Sequence, residues 1–491
     1  MQKAQKSHKV LLLGSGLMTP GLVDYLISFK DTHITVASNI LKDAEQVAQR
    51  HPQSMSAVYI DITNETELDK LVGQHDAVIS FVPPTMHITI FKSCLRKEKH
   101  LTTSSYVSPD MEKLHDEAKQ KGLIFLNEVG LDPGIDIMST MKVKDEAEAH
   151  GWKIVSYESY CGGLPVAEQA DNPIGYKFSW NPGAAIKASK SKATFMKNGK
   201  VVEAFEPLKV AEERKDISVA MKLEVYPNRD SLRQKQSNIL KILLVSWKDL
   251  ASFHDIGLTS DDLVPENVKT LRDLAESRFA GSPFSNLNNI QPEAQRAIHT
   301  LCADLESQGQ TNPEYRLVRM FCNVDTSHIK PQDREDFFKQ LIKTIRFLGF
   351  FDESSNLKVK NQKGERRSYL EVFGDVLAEK LSMTDEDRDL VVMRHNFILE
   401  DKQKKRWNHY STLIASGNSK KQGGYTIMAK TVGVTAAIGM RLILDGRIPQ
   451  RGVLSPIHKE IYDPIMQELE RLGVHMIEES DRFHTTMRPK L

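Results

Sequence analysis

An apolar segment near the amino terminus, Lys9 to Leu13, runs directly into the glycine turn Gly14-Ser15-Gly16. An apolar strand that ends in a glycine turn and opens a helix is the arrangement that cradles a dinucleotide pyrophosphate on a helix N-terminus. The first glycine permits the tight turn, and the second leaves room for the phosphates. Thr19 stands at the third glycine of the usual fingerprint, so we expect the helix and strand to pack less closely there. The turn favours nucleotide binding over an ordinary strand-turn-helix corner.

The segments that follow alternate between strand and helix patterns, as in a doubly wound α/β sheet. A helical pattern from Leu22 to Phe29 separates the first two strands, and another runs from Leu41 to Arg50. The six predicted strands are Lys9 to Leu13, His33 to Ala37, Ala57 to Ile60, Asp76 to Pro84, Leu101 to Tyr106 and Leu123 to Leu126. Because ligands of such sheets bind beyond the carboxyl ends of the strands, we expect a cofactor site there.

The end of the second strand, Ser38-Asn39, bears on the choice of cofactor. A carboxylate at this point receives the ribose hydroxyl of NAD, and an arginine receives the 2′-phosphate of NADP. Neither residue is present, although Lys42 could contact a phosphate, so both cofactors remain open with a slight preference for NADP. Alternatively, Ser38-Asn39 only caps the next helix.

Composition excludes several classes of function. The 66 basic and 65 acidic residues of the 491-residue chain leave a net charge of +1, which predicts neither a nucleic-acid nor a membrane partner. We find no apolar run that approaches the roughly 20 residues of a membrane span. The four cysteines show no paired spacing, which argues against a metal site and against disulfides. Since the amino terminus leads directly into a core strand, we expect no cleaved signal and a cytoplasmic protein.

Composition shifts along the chain predict more than one domain. The pattern is mixed α+β from Asn127 to Tyr226, helical from Ser237 to Arg388, and mixed again from Leu390. The helical part includes amphipathic stretches at Glu293 to Glu306 and Arg334 to Leu348. A small-residue helix from Gly423 to Leu444 suits close packing on a sheet.

Polar residues cluster after the predicted strands and are the candidates for chemistry. Asp132 and Asp136, four apart, would share a helix face if Pro133 opens a helix. Asp132 is equally well explained as the N-cap of that helix. Cys161 is either an exposed thiol at a glycine turn or, more commonly, a small buried hydrophobe. Arg229 either pairs with its neighbours or receives a substrate carboxylate through its planar fork.

The motifs SSYVSP, NEVGLDPGID, SYCGGLP, DNPIGYKFSW, YPNRDS and GGYTIMAKTVG, together with the initial GSG, closely resemble the saccharopine dehydrogenase family of the L-glutamate-forming type. The resemblance spans nearly the whole chain. It implies oxidation of saccharopine by NAD or NADP, with hydride transfer from the carbon of the secondary amine. Hydrolysis of the imine then yields L-glutamate and 2-aminoadipate 6-semialdehyde.

The resemblance also implies a homodimer of three-domain subunits. Residues 1–130 would form a Rossmann dinucleotide-binding domain, on which a helix at about 423–446 packs. Residues 131–236 and 389–491 would form an α+β domain that binds substrate and dimerises. Residues 237–388 would be an inserted all-helical domain.

The resemblance assigns site residues at matching positions of this chain. Cofactor contacts would involve Gly14, Ser15, Gly16, Leu17, Met18, Ser38, Asn39, Asp43, Val82, Thr103 and Ser104. Substrate contacts would involve Ser105, Tyr106, Asp132, Cys161 and Arg229. Asp132 and Asp136 are the alternatives for the proton acceptor, and Tyr106 and Cys161 complete the catalytic candidates.

After YPNRDS the chain departs from the family, because Lys241 and Val245 stand where the family carries two arginines. Loss of a charged contact to a carboxylate costs about 2 to 5 kcal/mol. A related oxidoreductase with a less acidic substrate, and a dinucleotide-binding protein without turnover, are therefore the alternative functions.

Overall fold

The computed structural model describes residues 7–214, 217, 223–228, 231, 239–244, 248–279, 291–298, 313–352, 357–361 and 364–482. The chain divides into two compact units. The first unit contains residues 1–163 and 388–491, and the second contains residues 164–387. The division into three domains remains a prediction.

The regular elements alternate along the first part of the chain as the sequence predicts. The strands are β1 (His8–Leu13), β2 (Thr32–Ser38), β3 (Met55–Tyr59), β4 (Ala77–Ser80), β5 (His100–Thr102), β6 (Ile124–Leu126), β7 (Lys153–Pro165), β8 (Ala193–Lys197), β9 (Lys200–Ala204), β10 (Glu212–Arg214), β11 (Leu223–Pro227), β12 (Ile239–Leu244), β13 (Asp389–Glu400), β14 (Arg406–Ser416), β15 (Gly452–Leu454) and β16 (Ile477–Ser480). The α-helices are α1 (Thr19–Ile27), α2 (Leu41–Ala48), α3 (Glu65–Gly73), α4 (His87–Lys97), α5 (Pro109–Glu112), α6 (His115–Gln120), α7 (Ile135–Ala149), α8 (Pro182–Lys190), α9 (Lys248–Asp255), α10 (Leu271–Phe279), α11 (Pro313–Phe321), α12 (Arg334–Leu348), α13 (Tyr369–Lys380), α14 (Ile427–Ala429), α15 (Thr435–Leu444) and α16 (Lys459–Arg471).

A parallel sheet of order β15-β6-β5-β4-β1-β2-β3 forms the core of the first unit. The interior strand β1 is apolar and fully buried from Val10 to Leu13, as a parallel strand covered on both faces must be. The six predicted strands are confirmed, and the Rossmann-type fold with them. The seventh strand, β15, was not predicted and joins the sheet from the far end of the chain.

A helical segment near the carboxyl terminus packs on the dinucleotide-type helix α1. Helix α14 continues through a π-helical turn, Lys430–Val434, into α15. Contact with α1 is close at two glycines: a Cβ on Gly21 would lie 2.8 Å from the Ala429 carbonyl oxygen, and one on Gly433 would collide with the Met18 carbonyl. Close helix packing thus lies on this side of α1, at Gly21, rather than at Thr19.

The same segment, Ile427–Leu444, is long and apolar enough by composition to cross a membrane, contrary to the expectation that no stretch approaches that length. However, 78% of it is buried within the structure, as in the core helix of a folded domain. The predicted helix from Gly423 to Leu444 is confirmed from Ile427 onwards.

The first unit also contains the neighbouring strands β7, β13, β14 and β16 of an antiparallel sheet. Side chains alternate between its faces, and those of Tyr157, His395 and Phe397 form one aromatic cluster. Ser139 of α7 bonds His395 at 3.1 Å, which fixes this helix against the sheet. Strand β7 extends to Pro165 and therefore contains the whole of the SYCGGLP motif.

The second unit has a β8-β9 hairpin, the antiparallel strands β10-β11-β12, and helices α8 to α13. Its helices enclose an aromatic core of Phe253, Phe321, Phe350 and Phe373. Helix α12 covers the residues predicted for it, whereas the predicted helix from Glu293 to Glu306 falls largely outside the described residues.

Candidate functional site

The glycine turn lies at the carboxyl end of β1, on the side of the parallel sheet where all of its strands end. Gly14 has φ +109°, and a Cβ there would lie 2.6 Å from the Phe81 carbonyl oxygen, so only glycine fits. By contrast, a Cβ on Gly16 would meet no atom within 4 Å. The turn is therefore closed towards the sheet and open towards the space in which a ligand phosphate would lie.

The helix that follows the turn is held by Thr19, the residue at the third glycine position. Its hydroxyl donates a hydrogen bond of 2.8 Å to the Gly16 carbonyl, and its amide donates one of 3.1 Å to the same oxygen. Leu17 is 57% exposed and Met18 is half-buried beside the opening. These contacts direct the N-terminus of α1 towards the open side of the turn, where the helix dipole favours an anion.

Serine hydroxyls join the ends of β1 and β2. Ser15 Oγ donates to Ser38 Oγ at 3.0 Å, and Ser38 Oγ accepts from the Ile40 amide at 3.2 Å. Helix α2 begins at Leu41 with Ile40 as its N-cap and no side-chain cap. Capping by Ser38-Asn39 is therefore ruled out as the explanation of these residues, and the exposed Asn39 and half-buried Asp43 flank the end of β2.

The segment after β5 lies at the same sheet edge, next to the end of β4. Thr103 is fully buried, its amide donates to the Leu126 carbonyl at 2.9 Å, and its hydroxyl accepts from the Ser105 amide at 3.2 Å. Ser104 is half-buried against Gly130, and Val82 is half-buried after β4. Parallel strands thus bring the predicted cofactor residues of β1, β2, β4 and β5 to one edge.

Tyr106 and Asp132 meet directly, although 26 residues separate them. The Tyr106 hydroxyl donates a hydrogen bond of 2.6 Å to Asp132 Oδ1. Tyr106 is 37% exposed and Asp132 is half-buried. Two predicted substrate residues therefore form one pair beside the predicted cofactor segment Thr103-Ser104.

The loop that carries Asp132 folds back on itself. The Gly130 amide donates to the Pro133 carbonyl at 3.0 Å, and the Ile135 amide donates to the Gly130 carbonyl at 3.0 Å. Gly134 has φ +150°, and a Cβ there would collide with the Gly130 backbone. The loop therefore depends on glycine at this position.

Helix α7 begins at Ile135, with Gly134 as its N-cap. The prediction that Pro133 opens this helix with Asp132 as N-cap is wrong, because the closed turn at Gly130 and Gly134 occupies those residues. Asp136 is instead 1% exposed, and its Oδ1 accepts from the Gly134 amide at 2.6 Å. The two carboxylates therefore do not share a helix face: Asp132 meets Tyr106, and Asp136 ties the loop to the helix.

Cys161 lies in β7 and is 4% exposed, which favours the interpretation of a small buried residue over an exposed thiol. It follows Tyr157 and Ser159 on alternate positions of the strand, so the three side chains share one sheet face. On that face the Tyr157 hydroxyl bonds Thr140 of α7 at 2.6 Å, and the Thr140 hydroxyl donates to the Asp136 carbonyl at 2.7 Å. Cys161 thus lies in the strand that is hydrogen-bonded, through Tyr157 and Thr140, to the N-terminal turn of α7 at Asp136.

Arg229 and Val245 lie outside the described residues, as does the side chain of Lys241. The predicted contact of Arg229 with a substrate carboxylate stays a prediction. Among the residues that the structure describes, no group of three or more His, Cys, Asp or Glu could hold a metal ion.

His87 was not predicted, yet it lies at the centre of the same edge. Its Nδ1 is 2.8 Å from Ser80 Oγ and its Nε2 is 2.8 Å from Ser105 Oγ, so the ring bridges the ends of β4 and β5. The ring is fully buried, and burial lowers its pKa to about 4. A histidine three residues after the Pro83-Pro84 pair that follows a buried strand was the available signal, but nothing in the sequence indicates its partners.

Family models match most of the chain. Residues 10–126 match the saccharopine dehydrogenase NADP binding domain, and residues 130–336 and 323–474 match the saccharopine dehydrogenase C-terminal domain.

Two fungal relatives match over almost their full length. The NADP(+)-dependent, L-glutamate-forming saccharopine dehydrogenase of Pyricularia oryzae is 33% identical over 95% of this chain and 98% of its own. The enzyme of the same name from Saccharomyces cerevisiae is 32% identical over 96% of this chain and 99% of its own. The solved structure of the apo, histidine-tagged L-Glu-forming enzyme from Saccharomyces cerevisiae is similar with a TM-score of 0.75 and 29% identity, over 96% of this chain and 100% of that chain.

Proposed function

Since this chain belongs to the saccharopine dehydrogenase family, we propose that it oxidises saccharopine with NADP to L-glutamate and 2-aminoadipate 6-semialdehyde. Membership makes it an oxidoreductase that acts on the CH–NH group of a small molecule. The observation that carries the proposal is the Tyr106–Asp132 pair, which lies next in the chain to the cofactor segment Thr103-Ser104.

The residues of the glycine turn fit a dinucleotide. The open face of Gly16, the start of α1 and the Ser15–Ser38 pair provide room, a positive helix end and hydroxyl donors for the pyrophosphate and ribose. Bound NADP would accept a hydride from the carbon next to the secondary amine of saccharopine.

Asp132 is the proposed proton acceptor. Hydride loss from the carbon requires the amine nitrogen to be unprotonated, so that its lone pair can form the C=N bond. Asp132 would take that proton and release it to solvent before the hydrolysis begins. It would then take a proton from the water that adds to the C=N carbon and give it to the nitrogen, so that the C–N bond breaks, the hydroxyl proton passes to water, and the aldehyde and the amine of glutamate are released. The hydrogen bond from Tyr106 fixes the direction of the carboxylate. Asp136 is less suited, because it is almost fully buried and already accepts from the Gly134 amide.

An absorbance assay at 340 nm with saccharopine and either NADP or NAD at mildly alkaline pH tests the function. We expect saccharopine-dependent reduction, with higher kcat/KM for NADP. If millimolar saccharopine produces no reduction while NADP still binds, the substrate assignment is overturned, and a panel of related secondary amines would identify an alternative oxidoreductase.

The preference for NADP rests on the absence of a carboxylate at the end of β2, with exposed Asn39 and Lys42 near it. We expect Asn39→Asp to lower kcat/KM for NADP by at least 10-fold, because the new charge would repel the 2′-phosphate. The matched control is Gln49→Glu, which adds the same charge at the opposite end of α2. Equal effects of the two variants would contradict a phosphate site at Asn39.

We also propose a cytoplasmic homodimer, built of the three predicted domains, in which residues 131–236 and 389–491 form the subunit contact. Light scattering at assay concentrations tests the dimer, and cell fractionation tests the compartment. A monomeric mass with full activity would contradict the dimer.

A further inference from the structure

His87 connects two serines that lie at the ends of adjacent strands. It is the first residue of α4, Ser80 is the last residue of β4, and Ser105 follows β5. Both ring nitrogens are 2.8 Å from a serine oxygen, and both His87 and Ser80 are fully buried. The three side chains therefore form a continuous path from the interior of the sheet to half-buried Ser105.

The ring of His87 is uncharged at neutral pH. Burial lowers its pKa to about 4, and the N-terminus of a helix also disfavours a cation. A neutral imidazole has one N–H donor and one acceptor nitrogen. One serine must therefore donate to the ring, and the other must accept from it.

The burial of Ser80 decides which serine donates a hydrogen bond to the His87 ring and which one accepts. Within the described part of the chain, His87 is the single hydrogen-bond partner recorded for the Ser80 hydroxyl. If Ser80 accepted from Nδ1, its own proton would be left buried without an acceptor, which costs about 1 to 3 kcal/mol. Ser80 therefore donates to Nδ1, which places the ring proton on Nε2 and makes Ser105 Oγ its acceptor.

We propose that His87 is a positioning residue that holds the Ser105 hydroxyl as a hydrogen-bond donor towards a carboxylate oxygen of the substrate. The inference rests on the proposed function. Because one lone pair of Ser105 Oγ accepts the Nε2 proton, the hydroxyl proton of Ser105 is directed away from His87 and towards the ligand space, where it favours an oxygen acceptor over an ammonium group. Tyr106, the next residue, carries the Asp132 contact, so this carboxylate would lie beside the reacting amine.

A double-mutant cycle between His87 and Ser105 tests the path. We expect His87→Leu to raise KM for saccharopine about 10-fold, equivalent to about 1.4 kcal/mol, with a smaller change in kcat and an unchanged Kd for NADP. His87→Gln should recover part of the loss, because its amide can donate to Ser105. In the Ser105→Ala background, His87→Leu should add less than 2-fold. Additive effects, or a parallel loss of NADP affinity, would overturn the proposal and indicate a purely structural histidine.

A second measurement is independent of turnover. In the ¹⁵N-histidine-labelled protein without ligands, the signals of His87, assigned by their loss in His87→Gln, should show a protonated Nε2 and a bare Nδ1. Ser80→Ala should weaken that preference. A protonated Nδ1 in the native protein would overturn the path even if saccharopine is turned over. If saccharopine is not oxidised but Nε2 is protonated, the assignment of saccharopine as the substrate is wrong, whereas the orientation of the Ser105 hydroxyl is confirmed.

Discussion

Two carboxylates four residues apart have different surroundings, and their substitution should separate catalysis from stability. Asp132 is half-buried against the Tyr106 hydroxyl, whereas Asp136 is buried and accepts a backbone amide. We expect Asp132→Asn to lower kcat by 100-fold or more with little change in Tm, since a positioned base contributes about 10² to 10⁴.

The companion variant Asp136→Ala should lose about 1 to 3 kcal/mol of unfolding free energy, because the Gly134 amide is left buried without an acceptor. Steady-state kinetics and urea unfolding of both variants provide the comparison. If Asp136→Ala loses most of its kcat while Asp132→Asn keeps the native kcat, then Asp136 rather than Asp132 is the proton acceptor.

The pKa of His87 predicts a specific dependence of stability on pH. This pKa is about 4 in the folded protein and has its ordinary value of about 6.5 in the unfolded chain, which therefore binds more protons between these values. The contribution of the neutral His87 ring to the free energy of unfolding is complete above pH 6.5. It is lost as pH falls towards 4, at no more than about 1.4 kcal/mol per pH unit. We expect urea midpoints of His87→Gln to fall less steeply than those of the native protein over this window. Parallel curves would show that the pKa of His87 is the same in the folded and unfolded protein, which contradicts the lowered value.

At the scale of elements, the π-helical turn packs against α1, the helix that follows the glycine turn. Gly433 is buried, and a Cβ there would lie 3.1 Å from the Leu22 amide nitrogen and would collide with the Met18 carbonyl. We expect Gly433→Ala to destabilise the protein by about 1 to 3 kcal/mol and to weaken NADP binding, because α1 must move. Calorimetry and fluorescence titration with NADPH measure the two effects.

The control for that substitution is Gly73→Ala at the end of α3, where the nearest atom to a new Cβ is Lys97 Cδ at 3.8 Å. It should leave NADPH affinity unchanged and be neutral or slightly stabilising, since alanine is the better helix former. An equal loss in both variants would place the cause in helix chemistry rather than in the contact with α1.

The elements of the parallel sheet were predictable because local patterns specify them. Each strand from β1 to β6 is a short apolar run bounded by turn residues, and the structure confirms all six. The start of α7 was mispredicted because Asp132-Pro133 is a good local start for a helix, whereas the Gly130–Gly134 backbone closure is a contact that no propensity describes. The edge strand β15 and the partners of His87 were missed for the same reason, since tertiary pairing between distant segments determines them.

At the scale of the whole molecule, the cofactor-binding half is assembled from both ends of the chain. Strand β15 pairs with β6, and α14 and α15 cover α1. A fragment of residues 1–150 should therefore fail to bind NADPH and should unfold without a cooperative transition, because the α1 face and the β6 edge are left exposed.

A fragment in which a short glycine-serine linker joins residues 1–163 to 388–491 should, by contrast, fold cooperatively and bind NADPH, because it retains the first unit. Circular dichroism melts and fluorescence titration compare the two fragments. Binding by the 1–150 fragment alone would show that the returning segment is dispensable.

The same return of the chain has a consequence for biosynthesis. On the ribosome, β6 emerges on the order of 300 residues before β15, a delay of about 15 to 60 s at 5 to 20 residues per second. Throughout that interval the nascent nucleotide-binding half has an open edge and an uncovered helix, which are features that chaperones recognise. We therefore expect chains whose translation stops before β15 to lack a finished dinucleotide site, so that they do not compete for the cellular pool of cofactor.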